Sequence, residues 1–134
     1  VIGALVANLI PARLLVSNVL GKAYYNDNLI RQEAIDEYAT QLKKSGAINA
    51  MLSTARSILP SDLNKLSQEY ATIKVPTKII WGMNDDITPI SVGRRLHEAI
   101  ENSTLNVVNL CGHIPHEECP EITVPLIVDF LNEK

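Results

Sequence analysis

The sequence predicts an α/β fold in which a helical first half precedes two parallel strands joined by helices. Three observations support this prediction. Apolar residues recur at helical spacing through residues 1–70, whereas two short runs rich in β-forming residues occur only after residue 72. Each run ends near a glycine and is followed by a helical pattern. Such alternation of strand and helix is typical of parallel strands connected by crossover helices.

The first half carries three predicted helices after the N-terminal segment. The first is expected to be capped by Asn28 and to stop near Gly46. The second covers residues 47–59, where a proline follows. The third begins after Ser61 or Asp62, either of which can act as an N-cap. No strand-like alternation interrupts this half, so we predict that it is helical throughout.

The second half is predicted to contain two strands, each followed by a helix. The first strand ends at Gly82, and the second covers residues 105–110. Thr88 and Pro89 are expected to open the helix between the strands, as its N-cap and first helical residue. The final helical segment starts at Pro120. Parallel strands are buried on both faces, and two of them are too few for an independent sheet.

The predicted sheet is therefore expected to continue in strands that precede Val1. The chain opens with Val-Ile-Gly rather than Met, which also indicates that residue 1 is not the natural start. A chain of this kind leaves one side of its sheet and part of its apolar surface uncovered. We expect it to associate with itself or with a missing N-terminal half.

The composition excludes several classes of partner. A net charge of −3 leaves no basic surplus to neutralise phosphates, so no nucleic-acid partner is expected. Polar residues and a proline interrupt the apolar segment 1–20, so no membrane insertion is expected. Two cysteines are too few for a disulfide framework. We predict that both are reduced and that the protein is cytoplasmic.

Two polar residues, Asp85 and His113, each follow a strand-ending glycine. In open α/β sheets, functional groups collect in the loops at the carboxyl ends of the strands. Adjacent parallel strands would bring these two loops together. A carboxylate that accepts a hydrogen bond from an imidazole fixes its tautomer and stabilises the imidazolium that forms during proton transfer. The pair is therefore predicted to supply the acid and the base of a catalytic triad.

The surroundings of this pair resemble the C-terminal portion of the α/β-hydrolase superfamily. The motifs that carry the resemblance are Trp81-Gly82-Met83-Asn84-Asp85 and Gly112-His113-Ile114-Pro115-His116. The resemblance implies that Asp85 is the triad acid and His113 the general base. Residues 1–71 resemble, more loosely, the helical cap (lid) that many members insert. Residues 72–134 then form the C-terminal part of the α/β-hydrolase core.

The nucleophile that this resemblance implies is absent from the 134 residues. No serine has glycines two positions away on both sides, so there is no Gly-x-Ser-x-Gly elbow. The implied mechanism is esterase-like: an upstream serine attacks a small apolar ester, with no cofactor and no metal. Ile87 and Ile114, next to the two catalytic positions, are candidate walls of the substrate pocket. The chain alone is expected to be inactive.

Three alternatives remain open at this point. An upstream aspartate nucleophile would make the parent an epoxide hydrolase or a haloalkane dehalogenase. The chain could instead be a catalytically inactive fragment with a structural or interaction role. A zinc module is the third alternative, because four side chains of metal-binding type lie within nine residues, namely Cys111, His113, His116 and Cys119. Their spacing is too short for a usual structural zinc site, and we expect His116 to be structural.

Overall fold

The computed structural model describes residues 10–57 and 63–133, with helices in the first half and a parallel strand pair in the second. The elements in chain order are α1 (Ala12–Ala23), a 3-10 turn (Asp27–Leu29), α2 (Gln32–Leu42), α3 (Ala47–Ser57), α4 (Leu63–Tyr70), β1 (Thr77–Gly82), α5 (Ile90–Ala99), β2 (Ser103–Val108), α6 (Pro115–Glu118) and α7 (Pro120–Asn132). Throughout the described part of the first half, no strand occurs. The predicted α/β class and element order are confirmed.

Helices α1 and α2 pack against each other through apolar residues that recur one turn apart. The cluster they form consists of five buried residues: Val16, Leu20, Tyr24, Ile35 and Ala39. Burial of one such side chain as large as leucine contributes about 1.5–3 kcal/mol. Ile114, from the loop that carries His113, packs against the same cluster. The helical first half is therefore attached directly to the loop of the predicted base.

Strands β1 and β2 are parallel neighbours, as predicted. Thr77 lies opposite Ser103 at one end, and Gly82 lies opposite Val108 at the other. Helix α5 connects them as the crossover that a parallel pair requires. Because the strands are in register over their full length, both end at the same edge of the sheet. The two loops that follow them must start side by side.

The start of helix α2 differs from the prediction. Asn28 is not its N-cap, because the helix begins at Gln32 with Arg31 in the cap position and no side-chain cap bond. The 3-10 turn precedes it instead, and the side chain of Asn26 accepts a hydrogen bond from the Asn28 N–H at 3.1 Å. Ile30 has an extended backbone, and its side chain packs against the apolar cluster rather than continuing a helix.

The start of helix α5 is also displaced, by one residue. Pro89 occupies the N-cap with extended backbone, and Ile90 is the first helical residue. Thr88 does not cap the helix, because its hydroxyl lies 3.3 Å from His113 Nδ1 instead. Its N–H donates to Asp85, and its carbonyl accepts from the Trp81 indole. The residue predicted to cap the helix is thus part of the loop that carries Asp85.

Three predicted boundaries have different outcomes. Strand β2 covers residues 103–108 rather than 105–110, because Leu110 takes a left-handed conformation with φ 54° and cannot continue a strand. The caps expected at Ser61 or Asp62 lie outside the described residues. The division at residue 71/72 falls in the connection between α4 and β1, and the assignment of two domains stays a prediction.

The α-helices of the described ranges have between 4 and 13 residues. None of them combines the length and the apolar character needed to cross one. Residues 1–9, which begin the apolar N-terminal segment, lie outside the described part of the chain.

Exposed apolar residues on helix α7 predict that the chain associates with itself or with further chain. They are Ile122, Val124, Ile127, Val128 and Leu131, of which Leu131 is 70% exposed. The sheet of the described residues has two strands, so each has one edge without a neighbour. Sedimentation of the 134-residue chain is expected to give a weight-average mass that rises with protein concentration.

Lysine at Val128 and Leu131 together should weaken this association, because both side chains would place a charge on the apolar face. Asn132→Lys adds a charge beside that face and serves as the matched control. A compact monomer whose sedimentation does not depend on concentration would contradict the prediction.

Candidate active site

The loops after β1 and β2 are held together by backbone and amide hydrogen bonds. The Met83 N–H donates to the Val108 carbonyl at 2.8 Å, and the Asn84 N–H donates to the Cys111 carbonyl at 3.0 Å. The side-chain oxygen of Asn84 accepts from the Leu110 N–H at 3.1 Å. These bonds fix the positions from which Asp85 and His113 project.

Asp85 is a buried carboxylate with a partner for each oxygen. Its side chain is 3% exposed. Oδ1 accepts hydrogen bonds from the N–H groups of Ile87 at 2.9 Å and Thr88 at 2.7 Å. Oδ2 lies 2.9 Å from Nδ1 of His113. Burial strengthens each of these interactions, because little water competes for the carboxylate. The acid is therefore fixed in position before any substrate binds.

The contact between Asp85 and His113 decides the tautomer of the imidazole. A carboxylate only accepts hydrogen bonds, so the neutral ring carries its proton on Nδ1 and leaves a lone pair on Nε2. Thr88 Oγ1 also lies 3.3 Å from Nδ1, on the same side of the ring. The His113 side chain is 38% exposed, and no described residue hydrogen-bonds to Nε2. Nε2 is thus free to accept a proton.

A cavity of about 150 Å³ opens beside the pair. It is lined by Ile80, Trp81, Gly82, Asp85, His113 and Pro115. Ile87 and Ile114 are not among its walls. Ile87 is 49% exposed, whereas Ile114 packs toward the helical first half. Their roles as pocket walls stay predictions.

Sequence reasoning missed the contribution of Thr88 to the acid loop. The sequence predicts that Thr88 is a helix cap, whereas its N–H and hydroxyl both lie at the Asp85–His113 pair. The sequence signal for this contribution is the three-residue spacing between Asp85 and Thr88. An aspartate commonly accepts from the N–H groups two and three residues later, which is the pattern from Asp85 to Ile87 and Thr88.

A second polar contact joins helix α2 to helix α6. Two tyrosine hydroxyls donate to Glu117 of α6: that of Tyr38, on α2, donates to Oε1, and that of Tyr24, which follows α1, lies 3.3 Å from Oε2. The hydrogen bond to Glu117 is the largest cause that raises the pKa of Tyr38 to about 12, with burial and the Glu117 charge adding to it. Burial, and then the charge of Glu117, raise the pKa of Tyr24.

The raised pKa of Tyr38 predicts a loss of stability at high pH. The folded pKa of about 12 lies above the ordinary tyrosine value of 10.0, so its contribution is complete below pH 10 and is lost as the pH rises toward 12. Urea unfolding between these pH values should show a smaller pH dependence in Tyr38→Phe than in the wild type. Tyr25→Phe, which removes an exposed phenol, is the control. Equal pH slopes in all three proteins would contradict the prediction.

The structure corrects the prediction that both cysteines are reduced. Cys111 and Cys119 form a disulfide, with their Cα atoms 6.5 Å apart. Helix α6 folds the intervening segment back on itself, which brings the two Cα atoms within the separation that a disulfide spans. The predicted cytoplasmic location rested in part on reduced thiols and stays a prediction without that support.

The geometry also disfavours the zinc alternative. Within the described ranges, the metal-binding side chains that converge are Cys111, Glu118 and Cys119, without either histidine. Both sulfurs are joined in the disulfide, and His113 Nδ1 faces Asp85. His116 is exposed on α6 and lines a cavity together with Tyr24. Its structural role stays a prediction.

Comparison with known proteins places this chain in a family. The model of the alpha/beta hydrolase fold family matches residues 7–120, which is most of the chain. The uncharacterized hydrolase YugF of Bacillus subtilis (strain 168) is 32% identical over 111 residues, covering 80% of this chain and 38% of that protein.

Two relatives with named activities match about half of the chain. A 2-hydroxy-6-oxononadienedioate/2-hydroxy-6-oxononatrienedioate hydrolase of Pseudomonas putida is 40% identical over 72 residues, which are 54% of this chain and 25% of that protein. The monoacylglycerol lipase ABHD6 of Mus musculus is 44% identical over 66 residues, which are 49% of this chain and 20% of that protein. The chain thus spans well under half the length of these relatives. It belongs to the alpha/beta hydrolase fold family.

Proposed function

We propose that the natural polypeptide carrying this chain hydrolyses a small apolar ester, and that the chain supplies the acid and the base of its catalytic triad. The observation that carries the proposal is the 2.9 Å contact between Asp85 Oδ2 and His113 Nδ1. It supports this assignment because it leaves Nε2 as the proton acceptor and stabilises the ring once it is charged. Asp85 is the acid, and His113 is the general base.

The mechanism uses a nucleophile from outside these 134 residues. A serine hydroxyl attacks the ester carbonyl while His113 Nε2 takes its proton. The imidazolium, held by Asp85, then returns this proton to the departing alkoxide, which leaves as the alcohol. Water attacks the acyl-serine, again losing its proton to Nε2. Protonation of the serine oxygen releases the carboxylic acid and restores the starting state.

The substrate class is tested with two compounds, because the named relatives differ in theirs. p-Nitrophenyl butyrate probes ester hydrolysis, which monoacylglycerol lipase ABHD6 supports by name. 2-Hydroxy-6-oxononadienedioate probes a second candidate function, the hydrolysis of this compound. The 40% identical hydrolase of Pseudomonas putida supports it by name. We expect turnover of the butyrate by the natural polypeptide and none by the 134-residue chain alone. Turnover of the dienedioate only would replace the proposed substrate class with the second candidate.

The nature of the nucleophile is tested separately. A fluorophosphonate reagent should label one serine of the natural polypeptide, and peptide mass mapping should place that serine outside the 134 residues. Hydrolysis without labelling would reject the serine mechanism. It would favour an aspartate nucleophile of the epoxide hydrolase or haloalkane dehalogenase type.

A catalytically inactive chain is the competing proposal. It predicts that neither the natural polypeptide nor the 134-residue chain turns over either compound, while both still associate through the exposed face of α7. Absence of turnover in a folded natural polypeptide would favour this alternative over the hydrolase.

A further inference from the structure

Glu118 is a buried carboxylate that the proposed catalytic mechanism does not use. Its side chain belongs to α6, and the residue is 5% exposed. Oε1 accepts hydrogen bonds from the N–H groups of Tyr25 at 2.9 Å and Asn26 at 2.8 Å. Oε2 accepts one from the Gly112 N–H at 2.6 Å. A buried carboxylate is costly to desolvate, and three charge-assisted hydrogen bonds offset that cost.

These three donors lie on two different parts of the chain. Tyr25 and Asn26 follow the end of α1, in the helical first half. Gly112 directly precedes His113. One side chain therefore bridges the end of α1, which lies 93 and 92 positions before Glu118, to the residue beside the proposed base, which lies six positions before it.

A backbone contact at the same place reinforces this bridge. The His113 N–H donates to the Ala23 carbonyl at 2.7 Å. Gly112 leaves no room for a side chain here, since an added Cβ would lie 2.4 Å from the Ala23 carbonyl oxygen and 2.8 Å from the Tyr25 nitrogen. The His113 N–H is thus bound directly to the end of α1, and the Gly112 N–H is bound to it through Glu118.

We propose that Glu118 is a positioning residue through which the end of α1 sets the location of His113. Its task differs from that of Asp85. Asp85 orients the imidazole ring from Nδ1, whereas Glu118 fixes the backbone from which the ring projects. A displacement of about 1 Å at a reacting group can lower a rate about 100-fold, so the backbone position is itself a catalytic requirement. The proposal rests on the role of His113 as the general base.

Two substitutions separate the charge from the shape of Glu118. Glu118→Gln keeps the size of the side chain, but its amide NH2 cannot accept a hydrogen bond. Either the Gly112 N–H or the N–H groups of Tyr25 and Asn26 therefore lose their acceptor. Glu118→Ala removes all three hydrogen bonds. Glu121→Gln is the matched control: it is exposed, lies one turn along the chain, and no hydrogen bond of its side chain is found in the described residues.

The first readout is hydrogen exchange of the natural polypeptide, followed by mass spectrometry of its peptides. In both Glu118 variants, peptides covering residues 22–27 and 109–115 should exchange about tenfold faster or more, while those covering 77–82 and 103–108 keep their rates. Unchanged exchange at 109–115 would overturn the proposal. Glu121→Gln should match the wild type everywhere.

The second readout distinguishes positioning from a purely structural role. Glu118→Gln should lower kcat for p-nitrophenyl butyrate about tenfold or more, with KM changed less than about twofold, because a displaced base affects the transition state and not substrate binding. An unchanged kcat, despite faster exchange in 109–115, would reduce Glu118 to a structural residue.

A third readout is independent of turnover. The proton between His113 Nδ1 and Asp85 should give a low-field NMR signal that disappears in His113→Asn. We expect this signal in the wild type and in Glu121→Gln, and its loss or broadening in Glu118→Gln. If the natural polypeptide is inactive, the proposed hydrolase function fails while this signal still tests the positioning. A signal that is unchanged in Glu118→Gln would reject it.

Discussion

Replacement of His113 by asparagine is expected to lower kcat of the natural polypeptide toward p-nitrophenyl butyrate by about 10,000-fold or more. Asparagine cannot take up a proton near neutral pH, so the nucleophile would have to attack without a base. The amide can still reach Asp85, which lies 2.9 Å from the imidazole in the wild type, so the fold should persist. Steady-state kinetics together with thermal unfolding measure both consequences.

The control is His97→Gln, since this exposed histidine of α5 contacts Ser103 and lies away from the pair. It should retain wild-type kcat. Asp85→Asn should also lose most activity, because an amide donor at this position would favour the wrong tautomer of His113. A His113→Asn variant with more than a tenth of the wild-type kcat would remove His113 from the role of general base.

Gly82→Ala is expected to destabilise the fold by about 3 kcal/mol or more. A Cβ at this position would lie 2.0 Å from the Gly112 carbonyl oxygen and 2.4 Å from the Cys111 carbonyl oxygen. Both obstacles are backbone atoms, so no side-chain rotation relieves the overlap. The two loops would have to separate, and with them Asp85 and His113. Urea unfolding of the natural polypeptide gives the change in the free energy of unfolding.

Gly21→Ala is the matched control for this substitution. Gly21 lies inside α1, and an added Cβ would meet nothing closer than the Asp27 carboxylate at 3.8 Å. Alanine is favoured over glycine in a helix interior by about 0.5–1 kcal/mol, so this variant should be as stable as the wild type or more stable. Equal stability of the Gly82→Ala and wild-type proteins would mean that the loops are not in the close contact described.

The parts of the fold that could be predicted depend on local signals. The glycine that ends β1 and the alternation of strand and helix predicted a parallel pair, and that pairing brings Asp85 beside His113. Helix starts were less predictable because tertiary contacts compete with local capping. Thr88 is engaged by Asp85 and Trp81, and Ile30 packs against the apolar cluster rather than opening a helix.

The contacts of Glu118 could not be predicted in this way. Its donors at Tyr25 and Asn26 are 93 and 92 positions away, and they are backbone N–H groups that every residue except proline provides. No pattern of residue types marks them. The disulfide was missed for a related reason, because the spacing of Cys111 and Cys119 does not reveal that α6 folds the segment back.

The use of backbone donors by Glu118 has a consequence for divergence and for engineering. Because the N–H groups of Tyr25 and Asn26 make the contact, their exposed side chains can vary without breaking it, provided that neither becomes proline. Helical segments from different homologues could therefore be exchanged to alter selectivity while the attachment to the histidine loop is retained. A library that randomises position 25, with proline excluded, should yield mostly folded variants, whereas Asn26 is kept because its side chain also accepts from the Asn28 N–H.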